Sequence, residues 1–127
     1  ARMVVHTLER LYPDRPVLLV VGIGAAKQMA GMLAELVPAA AGIICTRAYY
    51  TGSYQQARPV DELAAACETL RAGVVRHRAE TLEEAVDVGR RIARSERGVL
   101  AIVGSVSVAI EAREYLRGRD PRALCFF

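Results

Sequence analysis

The chain has 127 residues, of which 53% are hydrophobic and 24% charged, and a formal net charge of +3. That length admits one domain with a real core and excludes two ordinary ones, and an apolar fraction this high with only five prolines excludes a disordered chain. No run approaches the roughly 20 apolar residues of a bilayer span, the amino terminus has no secretion-signal pattern, and the basic residues are scattered without interleaved aromatics. The expectations are therefore a cytoplasmic protein with no membrane and no nucleic-acid partner.

Helix and strand patterns alternate along the whole chain. Val4, Leu8, Leu11 and Tyr12 share one face of an opening helix, which Pro13, Asp14 and Pro16 end before the apolar run Val17 to Val21. That run predicts a buried strand, Gly22-Ile23-Gly24 the turn after it, and Ala26, Met29, Ala30, Leu33, Leu36 and Val37 a helix reaching Pro38. Gly42 to Cys45 predicts a short strand. A long polar loop, Thr46 to Pro59, follows it and carries Tyr49, Tyr50 and Tyr54. Pro59 suits a first helical turn, and Leu63, Ala64, Cys67 and Leu70 mark the buried face of the helix it opens.

Gly73 to Arg76 is a strand candidate. Thr81 with Glu84 three residues later forms a capping-box pattern ahead of a helix whose apolar face is Leu82, Ala85, Val86, Gly89 and Ala93, with Gly98 as its stop. Val99 to Val103 is a second near-continuous apolar run that predicts a buried strand, and at Gly104-Ser105 the period switches to a helix reaching Gly118. Parallel crossovers need helices, so the alternation predicts an α/β fold, a Rossmann-like three-layer sandwich with a mostly parallel sheet. A chain that opens on a helix, with no methionine first, is expected to be cut from a longer protein with a first strand upstream.

Gly104 and Ser105 are the leading site candidates, because open α/β sheets place their ligand crevices at the carboxyl ends of strands. Glycine permits a tight turn, Ser105 can cap the helix, and the N–H groups of that helix start suit a carboxylate or phosphate. Gly22 to Lys27 reads GxGxxK, where a dinucleotide fingerprint requires a third small residue, and no acidic residue follows about 20 positions on. A glycine turn is thus preferred to a dinucleotide site, with Lys27 either reaching an anion or solvated. There is no GxxxxGK[ST], so the chain has no phosphate-gripping loop of its own.

Asp61, Glu62, Glu83 and Glu84 read as helix-start charges that complement the dipole. Arg47 and Arg58 bracket the tyrosine-rich loop, where they are either carboxylate binders or solvated surface. Cys45, Cys67 and Cys125 lack ligand spacing and read as buried thiols, and His6 and His77 stand alone, so no metal site is expected.

Together, RPVLLVVGIGAAKQMAGMLAELVPAAAGIICT, ARPVDELAAAC, TLEEAVDVGRRIA and VLAIVGSVSVAIEAREYL resemble the carboxyl-terminal domain of folylpolyglutamate synthase/dihydrofolate synthase, within the Mur ligase superfamily. The resemblance implies an ATP-dependent ligase that joins L-glutamate to a folate or dihydropteroate carboxylate through an acyl phosphate. It further implies that the P-loop and magnesium ligands lie in a preceding ATPase domain, so that this chain alone binds neither ATP nor Mg2+ and is inactive. By the same resemblance Ser105 and Gly104 serve the glutamate side, Lys27 and Arg58 contact nucleotide or anion, and no catalytic or metal-binding residue lies in this chain. Two departures stand out: the family's Lys-Asp is Lys27-Gln28 here, and its Asp-Gly-Ala-His-Asn-Pro motif would fall before Ala1. The alternatives are a Mur-type peptidoglycan ligase domain and a non-catalytic nucleotide-binding or interaction module.

Overall fold

The computed structural model describes residues 2–24, 28–49 and 58–123. Its elements alternate as α1 (Arg2–Leu11), β1 (Val17–Gly22), α2 (Met29–Ala39), β2 (Gly42–Cys45), α3 (Val60–Leu70), β3 (Val75–Arg78), α4 (Leu82–Ser95), β4 (Val99–Gly104) and α5 (Val106–Leu116), with a 3-10 turn at Pro121–Ala123. Among the described residues the four strands form one all-parallel sheet in the order β3-β2-β1-β4.

Side-chain alternation along the strands divides the core between two faces. Leu19 and Val21 of β1, with Ile43 and Cys45 of β2, pack against Leu33, Leu36 and Val37 of α2 and Leu63, Ala64 and Cys67 of α3. Leu18, Val20 and Ile44 face the other way, onto Ala85, Val88 and Ala93 of α4, and Val86 joins α4 to Val108 and Ala112 of α5. β1 is buried on both sides, which is why its sequence is an unbroken apolar run; each such side chain contributes about 1.5–3 kcal/mol over exposure. The expected layered α/β sandwich is therefore the observed one. No helix among the described residues is long and apolar enough to cross a membrane.

Several local expectations are corrected. β3 begins at Val75 instead of Gly73, because Gly73 adopts a left-handed φ of 82° in the turn that leaves α3. β4 is half-buried along its whole length, since it lies at the edge of the described sheet with β1 on one side. The packed face of α1 is Val5 and Leu8, whereas Val4, Leu11 and Tyr12 are exposed. Leu70, at the last position of α3, is also exposed, because the chain turns away at Arg71, whose guanidinium donates to the Ala40 carbonyl.

The helix stop assigned to Gly98 is built by Arg97. Arg97 takes the left-handed φ of 54°, while Gly98 N–H reaches Ala93 O at 2.7 Å and Arg97 N–H reaches Arg94 O at 3.4 Å, the paired bonds of a Schellman cap. Cys45 and Cys67 are buried free thiols in one apolar cluster, as expected, and Cys125 lies outside the described residues. Their contact and their burial hold the Cys45 thiol protonated, its pKa pushed upward.

Candidate functional site

The strand order makes the carboxyl end of β1 a topological switch point. The helix that leaves β1 goes to one face of the sheet and the helix that leaves its neighbour β4 goes to the other, opening a crevice between them. The two glycine turns, distant in sequence, meet there, with Gly22 in register with Gly104. Gly104 has a φ of 112°, and a Cβ at this position would collide with the Gly22 carbonyl oxygen, so only glycine fits. A Cβ on Gly22 would lie 2.7 Å from Val108 Cγ2 and 3.1 Å from the Thr46 carbonyl oxygen. Both glycines thus let three backbone segments converge.

Three successive carbonyls at the end of β1 each accept an N–H from a different segment. Val21 O accepts from Thr46 at 2.9 Å, Gly22 O from Ser105 at 2.8 Å and Ile23 O from Arg58 at 2.9 Å. Gly104, Ser105 and Arg58, three of the four expected site residues, are therefore gathered around Gly22 and Ile23. Lys27, the fourth, lies outside the described residues, as do Tyr50 and Tyr54.

Ser105 caps α5, its Oγ accepting the Val108 N–H at 3.2 Å. This use leaves the hydroxyl hydrogen available to donate, and the N–H groups of Val106 and Ser107 have no intrahelical acceptor. The helix starts differ in charge. The first turn of α3 carries Asp61 and Glu62 and that of α4 carries Glu83 and Glu84, whereas those of α2 and α5 carry no acidic residue. The two helices that flank the switch point, like α1, carry no carboxylate in their first turns, so their positive ends are not neutralised from within.

Arg58 enters α3 with its guanidinium 2.8 Å from Glu62, the side chain 21% accessible. Arg47 is exposed, with Glu80 at 3.4 Å. Among the described residues no three His, Cys, Asp or Glu side chains gather to hold a metal ion.

Sequence reasoning missed what holds the loop after β2. Tyr49 donates its backbone N–H to Glu111 Oε1 at 2.8 Å and its hydroxyl to Glu83 Oε1 at 2.7 Å, and the Arg122 guanidinium lies 5.9 Å from its ring centroid. Desolvation, and secondarily the bond to Glu83, push the Tyr49 phenol up to about 12. Glu111 is fully buried although it is a carboxylate. The signal that could have found it is its position between Val108 and Ala112, a single charge on the apolar stripe of α5.

No protein-family model and no curated protein sequence matches the chain. Two solved structures of folylpolyglutamate synthase from Mycobacterium tuberculosis do match in fold. One, in complex with ADP and AMPPCP, is 28% identical with a TM-score of 0.77, over 93% of this chain and 27% of that one. The other, in complex with ADP, is 24% identical with a TM-score of 0.75 over the same shares. The chain spans 27% of the length of these enzymes, and this likeness agrees with the resemblance read from its sequence. Over nearly its whole length, then, the chain is similar to part of a folylpolyglutamate synthase, consistent with that enzyme's carboxyl-terminal domain.

Proposed function

We propose that the chain is the carboxyl-terminal domain of an ATP-dependent acid–amino-acid ligase that adds L-glutamate to a folate or dihydropteroate carboxylate. The observation that carries this reading is the likeness to a folylpolyglutamate synthase over 93% of the chain. The crevice chemistry supports it. Ser105 donates its hydroxyl hydrogen to a glutamate carboxylate while keeping the Val108 N–H, and the Val106 and Ser107 N–H groups complete the cradle. Gly104 lets the backbone approach that carboxylate, and Arg58 and Lys27 contact nucleotide or anion.

ATP, held with Mg2+ by a preceding ATPase domain, supplies the activation that makes the acceptor carboxylate reactive toward an amine. The part of this chain is to bind and orient the incoming amino acid and to exclude water from the activated acceptor. No catalytic residue is assigned to it, and alone it is expected to be inactive.

The test is ATP-dependent ligation of labelled glutamate by the full-length protein, offered folate acceptors and peptidoglycan precursors in parallel. Folate-dependent ADP release is expected; release driven only by the peptidoglycan precursor, or by neither, overturns the reading. In that enzyme Ser105→Ala is expected to raise KM for glutamate by about tenfold and leave KM for ATP within about twofold, the scale of one hydrogen bond to a charged group. Equal small effects would leave Ser105 as a cap only.

A further inference from the structure

Among the described residues Glu111 is the single charged side chain that is buried, and nothing in the proposed chemistry uses it. Burying a carboxylate is costly, and an apolar residue of similar size is often at least as stabilising. Its place explains the cost. α5 carries Ser105 at its start and Glu111 farther along, and Glu111 accepts the backbone N–H of Tyr49 across 62 positions of sequence. The segment so held, Thr46 to Tyr49, is a wall of the crevice: the Thr46 carbonyl oxygen and Arg47 Cα lie 3.1 and 3.5 Å from where a Gly22 Cβ would stand. Ala48 seals the same segment against Leu82, Val86, Val108 and Ala112. One rigid helix therefore bears both the anion-facing cap and the grip on the opposite wall.

We propose that Glu111 is a positioning residue of the crevice: by holding the Tyr49 backbone N–H, it fixes the Thr46–Tyr49 wall at a set distance from the Ser105 helix start. This inference rests on the reading that the α5 start takes the carboxylate of an amino acid. A ligand seated at Ser105 presses on the wall through α5, and the wall in turn orders the ligand.

The experiment uses the full-length protein and two variants. Glu111→Leu keeps the volume and removes the acceptor, so the Tyr49 amide is expected to exchange about tenfold faster or more. KM for glutamate should rise about fivefold with kcat and KM for ATP within about twofold, the pattern of lost ground-state binding. Glu111→Gln, whose amide oxygen accepts the same N–H, should restore both. Wild-type Tyr49 exchange in Glu111→Leu, or KM and kcat altered in equal measure, overturns the proposal.

A measurement on the unaltered protein stands if the leucine variant does not fold. Saturating glutamate is expected to slow exchange of the Tyr49 amide together with those of Val106 and Ser107. Slowing at Val106 and Ser107 without Tyr49 overturns the role of Glu111. No slowing at any of them overturns the amino-acid reading itself, which separates the two failures.

Discussion

Helices α4 and α5 are capped in the same way. Thr81 Oγ1 accepts the Glu84 N–H at 3.3 Å and Ser105 Oγ accepts the Val108 N–H at 3.2 Å. Their first turns differ, for α4 places Glu83 and Glu84 there and α5 places none. α4 thus neutralises its own positive end, while α5, beside the switch point, leaves that work undone. The same hydroxyl cap therefore serves two different helix starts: one neutralised by its own carboxylates, the other left positive at a strand's carboxyl edge.

The turn before α5 is the more specialised of the two, because Gly104 combines a φ of 112° with a close approach to the Gly22 carbonyl. Gly104→Ala is expected to cost about 3 kcal/mol or more in urea unfolding, since left-handed strain and a backbone collision act together. Gly118→Ala, at a φ of 80° with nothing within 4 Å, should cost only about 1 kcal/mol, and similar losses at the two positions would remove the case for an obligatory close approach at Gly104.

Next come the caps. Thr81→Ala and Ser105→Ala should each cost about 1 kcal/mol, yet only the second should change the dependence on glutamate in the full-length protein. If both or neither change it, the two helix starts are functionally alike. Val106→Glu would give α5 the charge that α4 already has at an exposed position. A gain in stability of about 0.3–1 kcal/mol together with weaker glutamate binding is expected, an opposition of signs that a merely structural helix start would not show.

The smallest effect concerns pH. The Tyr49 phenol lies above its ordinary value of 10.0, at about 12, so its contribution to stability is complete below about pH 10 and is lost as pH rises toward 12. Melting curves across that window should fall less for Tyr49→Phe than for the wild-type protein.

Much of the fold was legible because strand and helix periods differ and because β1 is buried on both faces, so its run is uninterrupted. Both hydroxyl caps and the acidic first turns of α3 and α4 were legible for a local reason, as each depends on residues three or four apart. What escaped depends on order in space. Periodicity finds β1 and β4 but not their adjacency, so Gly22 and Gly104 read as two separate turns. It cannot tell an edge strand from a central one when both are apolar, hence the half-buried β4. Arg97 hid behind Gly98 because glycine is the usual left-handed cap; here Gly98 is required instead by its packing against the Pro16 carbonyl. Glu111 escaped because a glutamate on a helix is ordinarily solvated, and the Tyr49 N–H that it accepts lies 62 positions away.

The three acceptors at the end of β1 have a consequence for how this molecule can change. Successive carbonyls of a strand point to opposite neighbours, so Val21 and Ile23 serve the segments on the β2 side while Gly22 serves β4. One residue inserted among them would reverse this parity and hand each carbonyl to the wrong neighbour. Length is therefore frozen at this spot. Insertions and deletions that the outer connections accommodate would here unfasten three segments in a single step.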